Sequence, residues 1–300
     1  MIFKHMYYSP NTIVFDDGQY VKPNEVSIDP YSKTLHYGIG AFEGIRAYDA
    51  PEGAVIFKAY EHFNRLRRSA EKMHIEFKYT NEELLDICSK ILKKNRLSNA
   101  YIRPLVYLGP DMSFRNTPEV KLFVSAWQWG RLLGDQHVRV GISSYERPNP
   151  KSCHIDAKVT GHYTLTSLAT TQIKQRGFDE ALLLDQTGFV SQGASGNFFY
   201  EKQEVLYTSP MGHIFPGITR SSIIDLARKN GIAVVEKPIH AQELRDADAA
   251  FFTGTAIEYS PIVSIEEHKM KKDWDDTVGH YLFSRYGNMV RDFDHNSTVI

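Results

Sequence analysis

The sequence is 300 residues long, 42% apolar and 24% charged, which suits one large or two ordinary globular domains and argues against disorder. A formal net charge of −1 and only short basic runs, such as 65–68, offer nothing to hold a nucleic acid. No stretch approaches the roughly 20 apolar residues of a membrane span, and the opening MIFKHMYYSP lacks a signal-peptide core, so no membrane partner and a cytoplasmic address are expected.

In chain order, the segment 12–15 is apolar and β-prone, Asp17-Gly18 is a hairpin turn pair, and Tyr20-Val21 resumes the strand. Across 61–73, Phe63, Leu66, Ala70 and Met73 recur every three or four residues, which predicts a helix with Arg65, Arg67 and Arg68 pointing away from its apolar face. Thr80 and Glu83 predict a capping box before a second helix, whose stripe of Leu84, Ile87, Cys88 and Ile91 ends near Asn95. Segments 101–108 and 121–127 read as buried strands, and 129–136, with Gly130 and Gly134, interrupts both periodicities and marks a domain boundary.

The second half predicts a strand over 138–143, a helix over 163–176 stopped by Gly177, a strand over 180–184 and a turn at Thr187-Gly188. Another helix opens after Pro216-Gly217 and stops at Asn230-Gly231. The pattern Val278, Leu282, Tyr286 and Met289 predicts a last one. Strands and helices are interspersed without strict βαβ alternation, so the fold class is α+β rather than a doubly wound sheet. Cys88 and Cys153 lie far apart with no CxxC pattern, and pairs such as His154 and His162 lack ligand spacing, so neither a disulfide nor a metal is expected.

The chemistry-bearing candidate is Lys158, set between Ala157 and Val159-Thr160-Gly161, just before a helix that starts near Tyr163. A lysine in such a small-residue setting is partly desolvated, which disfavours the ammonium form and leaves a nucleophile able to form an imine with an aldehyde cofactor. Two segments could hold a cofactor phosphate. Phe215-Pro216-Gly217-Ile218-Thr219-Arg220 runs from glycine directly into a helix start, and Thr253-Gly254-Thr255-Ala256 is a second glycine-flanked group of amides and hydroxyls. Either segment alone is also an ordinary cap or turn.

Together, LHYGIGAFEGIRAY (35–48), AYIRPLVYLG (100–109), AKVTGHY (157–163), FPGITRSSII (215–224) and TGTAIEYSPI (253–262) resemble the branched-chain-amino-acid aminotransferases, from about residue 10 to 265. These belong to the fold type IV pyridoxal phosphate enzymes. The resemblance implies a two-domain, D-amino acid aminotransferase-like fold with the cofactor at the domain interface. A small N-terminal α+β domain would cover 1–130, a loop 131–137, and a larger cofactor-binding domain 138–300. It implies pyridoxal 5′-phosphate held as a Schiff base on Lys158, which would also move the substrate α-proton, with Tyr163 on the cofactor phenolate. Arg65, the amides of Ile218 and Thr219, and Thr255 would bind the phosphate. Phe42, Gly44, Tyr37 and Trp129 would shape the side-chain pocket. Tyr101 and the backbone near Thr255 and Ala256 would take the α-carboxylate, and Arg103 would meet the second carboxylate of glutamate. The implied activity exchanges amino groups between leucine, isoleucine or valine and 2-oxoglutarate. The implied assembly is a homo-oligomer, at least a dimer, with Tyr37 and the loop 110–114 reaching the neighbouring subunit.

Three positions depart from the family pattern. Gln192 stands where a glutamate pairs with the cofactor ring nitrogen, Gly196 where a second glutamate is usual, and Leu132 where an aromatic residue closes the pocket. Gln192 can donate to an unprotonated nitrogen or accept from a protonated one, so position is kept while the charge that favours pyridinium is lost. The departures keep open a cofactor-binding paralogue with little turnover, a D-amino acid aminotransferase and an aminodeoxychorismate lyase-like enzyme. The Arg103 segment favours the branched-chain activity.

Overall fold

The computed structural model describes residues 7–115 and 118–292, so residues 1–6, where no signal peptide is expected, lie outside the described residues. The chain forms two compact units: Met1–Trp129, Ala157–His162 and Val290–Ile300 make the first, and Gly130–Asp156 and Tyr163–Met289 the second. The hexapeptide Ala157–His162, inside the range expected for the second domain, thus belongs to the first unit. Two backbone ties and one side-chain tie hold it there. Ala41 bridges Val159, Gly161 N–H donates to Gly38 O at 2.9 Å, and Thr160 Oγ1 donates to the same carbonyl at 2.6 Å.

The first unit is a seven-stranded antiparallel sheet with helices on one face. Its elements are β1 (Val14–Asp16), β2 (Gln19–Val21), α1 (Lys33–Tyr37), β3 (Gly40–Phe42), β4 (Ile45–Ala50), β5 (Gly53–Ile56), α2 (Ala59–Lys72), α3 (Asn81–Asn95), β6 (Ala100–Leu108) and β7 (Val120–Trp127). The strand order is β2-β1-β7-β6-β4-β5, with β3 also paired to β6. The turn between β1 and β2 uses positive φ at Asp17 and Gly18, as its residue types predict. The capping box of α3 is present: Thr80 Oγ1 accepts Glu83 N–H at 3.1 Å, and Glu83 Oε2 accepts Thr80 N–H at 2.7 Å.

Strand alternation then sorts β6 into two faces. Ile102 and Val106 join Phe63 and Leu66 of α2 and Leu84 and Ile91 of α3 in a core. Full burial of such side chains contributes about 1.5–3 kcal/mol each. Arg103 and Leu105 face the other way and, with Trp127, line a groove of about 530 Å³. One helix expectation fails: Arg65 does not point away from the packed side of α2 but is buried, because a carboxylate waits for it there.

The second unit contains β8 (Val138–Ile142), α4 (Tyr163–Gln175), β9 (Glu180–Leu184), β10 (Val190–Gly193), β11 (Asn197–Lys202), β12 (Val205–Thr208), α5 (Ile218–Lys229), β13 (Val234–Glu236), β14 (Ala249–Gly254), β15 (Glu258–Ile265), β16 (His268–Lys269) and α6 (Val278–Met289). Its nine-stranded sheet runs β10-β9-β8-β15-β14-β11-β12-β13, with β16 on β15. Pairs β8–β9, β8–β15 and β12–β13 are parallel and the rest antiparallel, a mixed sheet that fits α+β. Ala169 and Ile173 of α4 pack on Ala181 and Leu183, while α5 and α6 pack with β14. No helix among the described residues is long and apolar enough to cross a membrane.

Candidate functional site

In the first unit, Lys158 is sewn to two elements through its backbone. Its carbonyl accepts Phe42 N–H at 3.1 Å, and its N–H donates to Ser69 Oγ at 2.9 Å. Ser69 in turn donates to Arg65 O at 2.8 Å, one turn back along α2. The half-buried lysine amine lies 5.0 Å from the Phe42 ring centroid. Only glycine fits where this segment crosses the end of α1: a Cβ on Gly38, at φ 66°, would stand 2.7 Å from Gly161 Cα.

Beside Lys158 lies a buried ionic cluster that sequence reasoning missed. Glu43, fully buried, receives Arg65 Nε on Oε1 at 2.6 Å and Arg65 Nη2 on Oε2 at 2.8 Å, together with His62 Nδ1 at 2.9 Å. Burial alone would push the Glu43 carboxyl up, but Arg65 and the His62 hydrogen bond outweigh it and hold the group well below the ordinary carboxylate range. Burial pushes His62 down, more than its bond to Glu43 raises it. Because a carboxylate only accepts, the neutral imidazole carries its proton on Nδ1. The signal was present in the spacing: His62, Arg65 and Ser69 recur at three and four along α2.

The expected substrate residues of this unit come together around Arg103. Its guanidinium carbon lies 4.7 Å from the Phe42 centroid, 5.2 Å from Tyr101 and 5.9 Å from Trp127, and Nη2 donates to Tyr101 Oη at 3.1 Å. Arg103 Nε is buried without a hydrogen-bond partner. Trp129 stands edge-on to Tyr101 at 4.9 Å, its carbonyl held by Arg46 Nη1 at 3.0 Å. Gly44 lies directly against the Tyr101 phenol, where a Cβ would come within 2.6 Å of Cζ. Tyr37 is set elsewhere on the unit. It is exposed, lies at a tilt against Phe114 with ring centroids 4.8 Å apart and donates to Met112 O at 3.3 Å, while Lys33 pairs with Asp111 of the same loop.

In the second unit, the first turn of α5 is uncapped. Its N-cap is Gly217, which has no side chain to engage the amides that follow, so Ile218 and Thr219 stand at an anion-binding helix end. Thr253, at the end of β14, is fully buried with its hydroxyl unpaired, next to Gly254-Thr255-Ala256. A helix terminus plus an orphaned buried hydroxyl is a donor set that fits a phosphate, and no group of three or more metal-ligating side chains occurs among the described residues. Arg220 does not contribute, since it turns to Ser209 O and Glu236.

Gln192 is buried and its carboxamide orientation is fixed. Oε1 accepts Phe215 N–H at 2.7 Å, and Nε2 donates to Gly193 O at 3.2 Å, so a backbone donor and a backbone acceptor both demand the same orientation. Asn197 Nδ2 holds Phe215 O at 2.9 Å, and these two side chains pin the approach to α5. Gly196 packs so closely on β14 that a Cβ would lie 2.5 Å from Thr253 O, leaving no room for a side chain there. Glu180, beneath this turn, accepts Ser195 N–H at 3.2 Å, and burial pushes its carboxyl up to about 7. Tyr163 is partly exposed at the start of α4, and Leu132 N–H donates to Ala256 O at 2.9 Å.

Residues 40–265 match the model of the family described as amino-transferase class IV. The chain is 37% identical over 284 residues to a branched-chain-amino-acid aminotransferase of Pseudomonas aeruginosa, covering 93% of this chain and 92% of that one. Among solved structures, the branched-chain aminotransferase of the archaeon Thermoproteus uzoniensis with norvaline superposes with a TM-score of 0.89 at 33% identity, covering 93% of this chain and 94% of that one. The branched-chain amino acid aminotransferase of Thermobaculum terrenum in its PLP-form gives a TM-score of 0.89 at 26% identity, covering 96% of this chain and 97% of that one.

Proposed function

This chain belongs to the class IV amino-transferase family, and from that premise we propose that it is a branched-chain-amino-acid aminotransferase moving the amino group between leucine, isoleucine or valine and 2-oxoglutarate. The observation that carries the substrate reading is Arg103. A cation boxed by Phe42, Tyr101 and Trp127, with Nε unpaired, offers apolar ring surface to an aliphatic side chain and a guanidinium to a carboxylate. That combination suits a pocket required to accept both donor and acceptor.

Pyridoxal 5′-phosphate is the cofactor of the reading, and when bound it supplies an aldehyde for imine exchange and a ring that withdraws electrons from the substrate α-carbon. Lys158 is assigned the covalent link and then the α-proton, which it takes as base and returns as acid. Tyr163 would donate its hydroxyl to the phenolate oxygen. The phosphate falls to Arg65, held rigid by Glu43, to the Ile218 and Thr219 amides at the uncapped end of α5, and to Thr255. Gln192 would meet the ring nitrogen as a neutral group. Phe42, Gly44, Tyr37, Trp129, Tyr101 and the backbone at Thr255 and Ala256 complete the substrate assignments. The norvaline complex of the Thermoproteus uzoniensis enzyme, with an aliphatic amino acid, supports the donor class.

The assembly is proposed to be at least a dimer. Tyr31, Leu35, Tyr37, Met112 and Phe114 are all large, apolar and exposed on the first unit, a concentration that a second copy would cover. Two free cysteines, Cys88 and Cys153, fit a reducing cytoplasmic setting. Incubation with leucine and 2-oxoglutarate should yield glutamate, with D-alanine and aminodeoxychorismate as poor alternatives. No glutamate from protein with full cofactor occupancy would refute the proposal.

A further inference from the structure

We propose that Glu43 is a positioning residue: by cancelling the Arg65 charge and holding His62 as a hydrogen-bond donor, it keeps the buried cluster beside Lys158 free of net charge. Three segments meet there. Phe42, which precedes Glu43, donates its N–H to Lys158 O; Lys158 N–H donates to Ser69 Oγ; and Ser69 donates to Arg65 O. Glu43 itself receives two bonds from Arg65, one from His62 and, at 3.2 Å, the N–H of Gly44. Four donors on the two oxygens, two of them from the charged Arg65 guanidinium, favour the ionised carboxylate.

The charged and titratable groups acting on Glu43 are His62 and Arg65 from α2, and Lys158 from the 157–162 segment acts on His62. With Glu43 ionised, Arg65 is cancelled. His62 stays neutral because burial disfavours imidazolium, and both Arg65 and Lys158 add repulsion. The sum over Glu43, Arg65 and His62 is zero. Neutralising Glu43 would leave the Arg65 guanidinium uncompensated and put a like charge beneath the lysine, which favours the free amine.

The test uses cofactor-free protein and pyridoxal, which lacks the phosphate and so reports the amine without the phosphate site. Imine formation is followed by its visible absorption against pH, with Lys158→Ala subtracted as the blank. Glu43→Gln is expected to lower the midpoint by about one pH unit. Glu43→Asp, and the double variant Glu43→Gln with Arg65→Met, are expected to return it to within a few tenths. An unmoved midpoint in Glu43→Gln, or a shift that persists in the double variant, overturns the inference.

Should Glu43→Gln fail to fold, ¹⁵N-histidine spectra of the unaltered protein carry the test. His62 is expected to remain largely the neutral Nδ1–H tautomer at about pH 6.5, where an unperturbed imidazole is half protonated, and a half-protonated His62 at that pH would overturn the inference. The inference rests on Lys158 as the imine-forming lysine. Absence of any Lys158-dependent band in the unaltered protein refutes that reading instead, so the two failures are distinguishable.

Discussion

Replacing Gly44 by alanine tests the link between local packing and the choice of acidic substrate. The new methyl would lie 2.6 Å from Tyr101 Cζ and closer still to its hydroxyl oxygen, against the ~3.5–4.0 Å at which carbon pairs rest. Tyr101 is buried, with the rings of Trp127 and Trp129 at 5.1 and 4.9 Å, so the phenol has no open space to enter. It must shift as a body, and its bond from Arg103 Nη2 is lost. Overpacking of this kind costs about 1–3 kcal/mol of stability. A hydrogen bond from a charged group contributes about 1.5–3 kcal/mol. If Arg103 binds the second carboxylate, that second figure becomes a loss of about 10- to 150-fold in kcat/KM for 2-oxoglutarate. The branched acceptor 4-methyl-2-oxopentanoate shares the α-carboxylate assigned to Tyr101 but has no second carboxylate, so it should lose less than 2-oxoglutarate, which loses both contacts. Steady-state kinetics on both acceptors, with a urea unfolding curve as control, decide the matter. Equal losses on the two acceptors, or none on either, refute the assignment of Arg103.

Gly38→Ala places a side chain at φ 66° and 2.7 Å from Gly161 Cα, so it should destabilise the first unit by more than about 1–2 kcal/mol and weaken cofactor binding by detaching the 157–162 segment. An unchanged urea midpoint would contradict that. Glu180, pushed up to about 7 by burial, holds a proton in the folded chain that the unfolded chain releases above about pH 4.3, so its contribution to stability falls as pH rises from there through 7. Glu180→Gln, which can still accept Ser195 N–H, should therefore add up to about 3 kcal/mol at pH 8 and almost nothing at pH 4. A gain independent of pH would show that the carboxyl is not protonated in the fold. Gln192→Glu keeps an acceptor for Phe215 N–H, gives up the donation to Gly193 O and adds the missing charge, so single-turnover transamination should accelerate, with about 1.4 kcal/mol for each pH unit by which the ring nitrogen pKa rises. Equal or lower rates at unchanged cofactor occupancy would count against the weakened electron sink.

The parts legible in the sequence are those written in local periodicity. The helices α2 and α3, the Thr80–Glu83 box, the Asp17-Gly18 turn and the final helix over Val278–Met289 all depend on neighbours within a few residues. Strands β3, β4 and β5 were not read, because Gly40–Phe42 and Gly53–Ile56 are short and rich in small residues, and β3 and β4 pair with β6, some sixty residues later. The same limit applies to the site. Lys158 was legible as a motif, yet its place in the first unit is set by Gly38, Ala41, Phe42 and Ser69, all distant in sequence. Arg65 was expected off the packed side of its helix because a helical wheel shows apolar positions but not a buried acid on another segment. Glu43 supplies that acid. Gly196 illustrates the reverse case, where a departure noticed in sequence gains a steric reason only from the 2.5 Å approach to β14.

The central claim is that Lys158 carries the cofactor. Protein loaded with pyridoxal 5′-phosphate, reduced with borohydride and mapped by mass spectrometry should bear a single phosphopyridoxyl group, on the peptide containing Lys158. Stoichiometric labelling of any other lysine would contradict the account at its root.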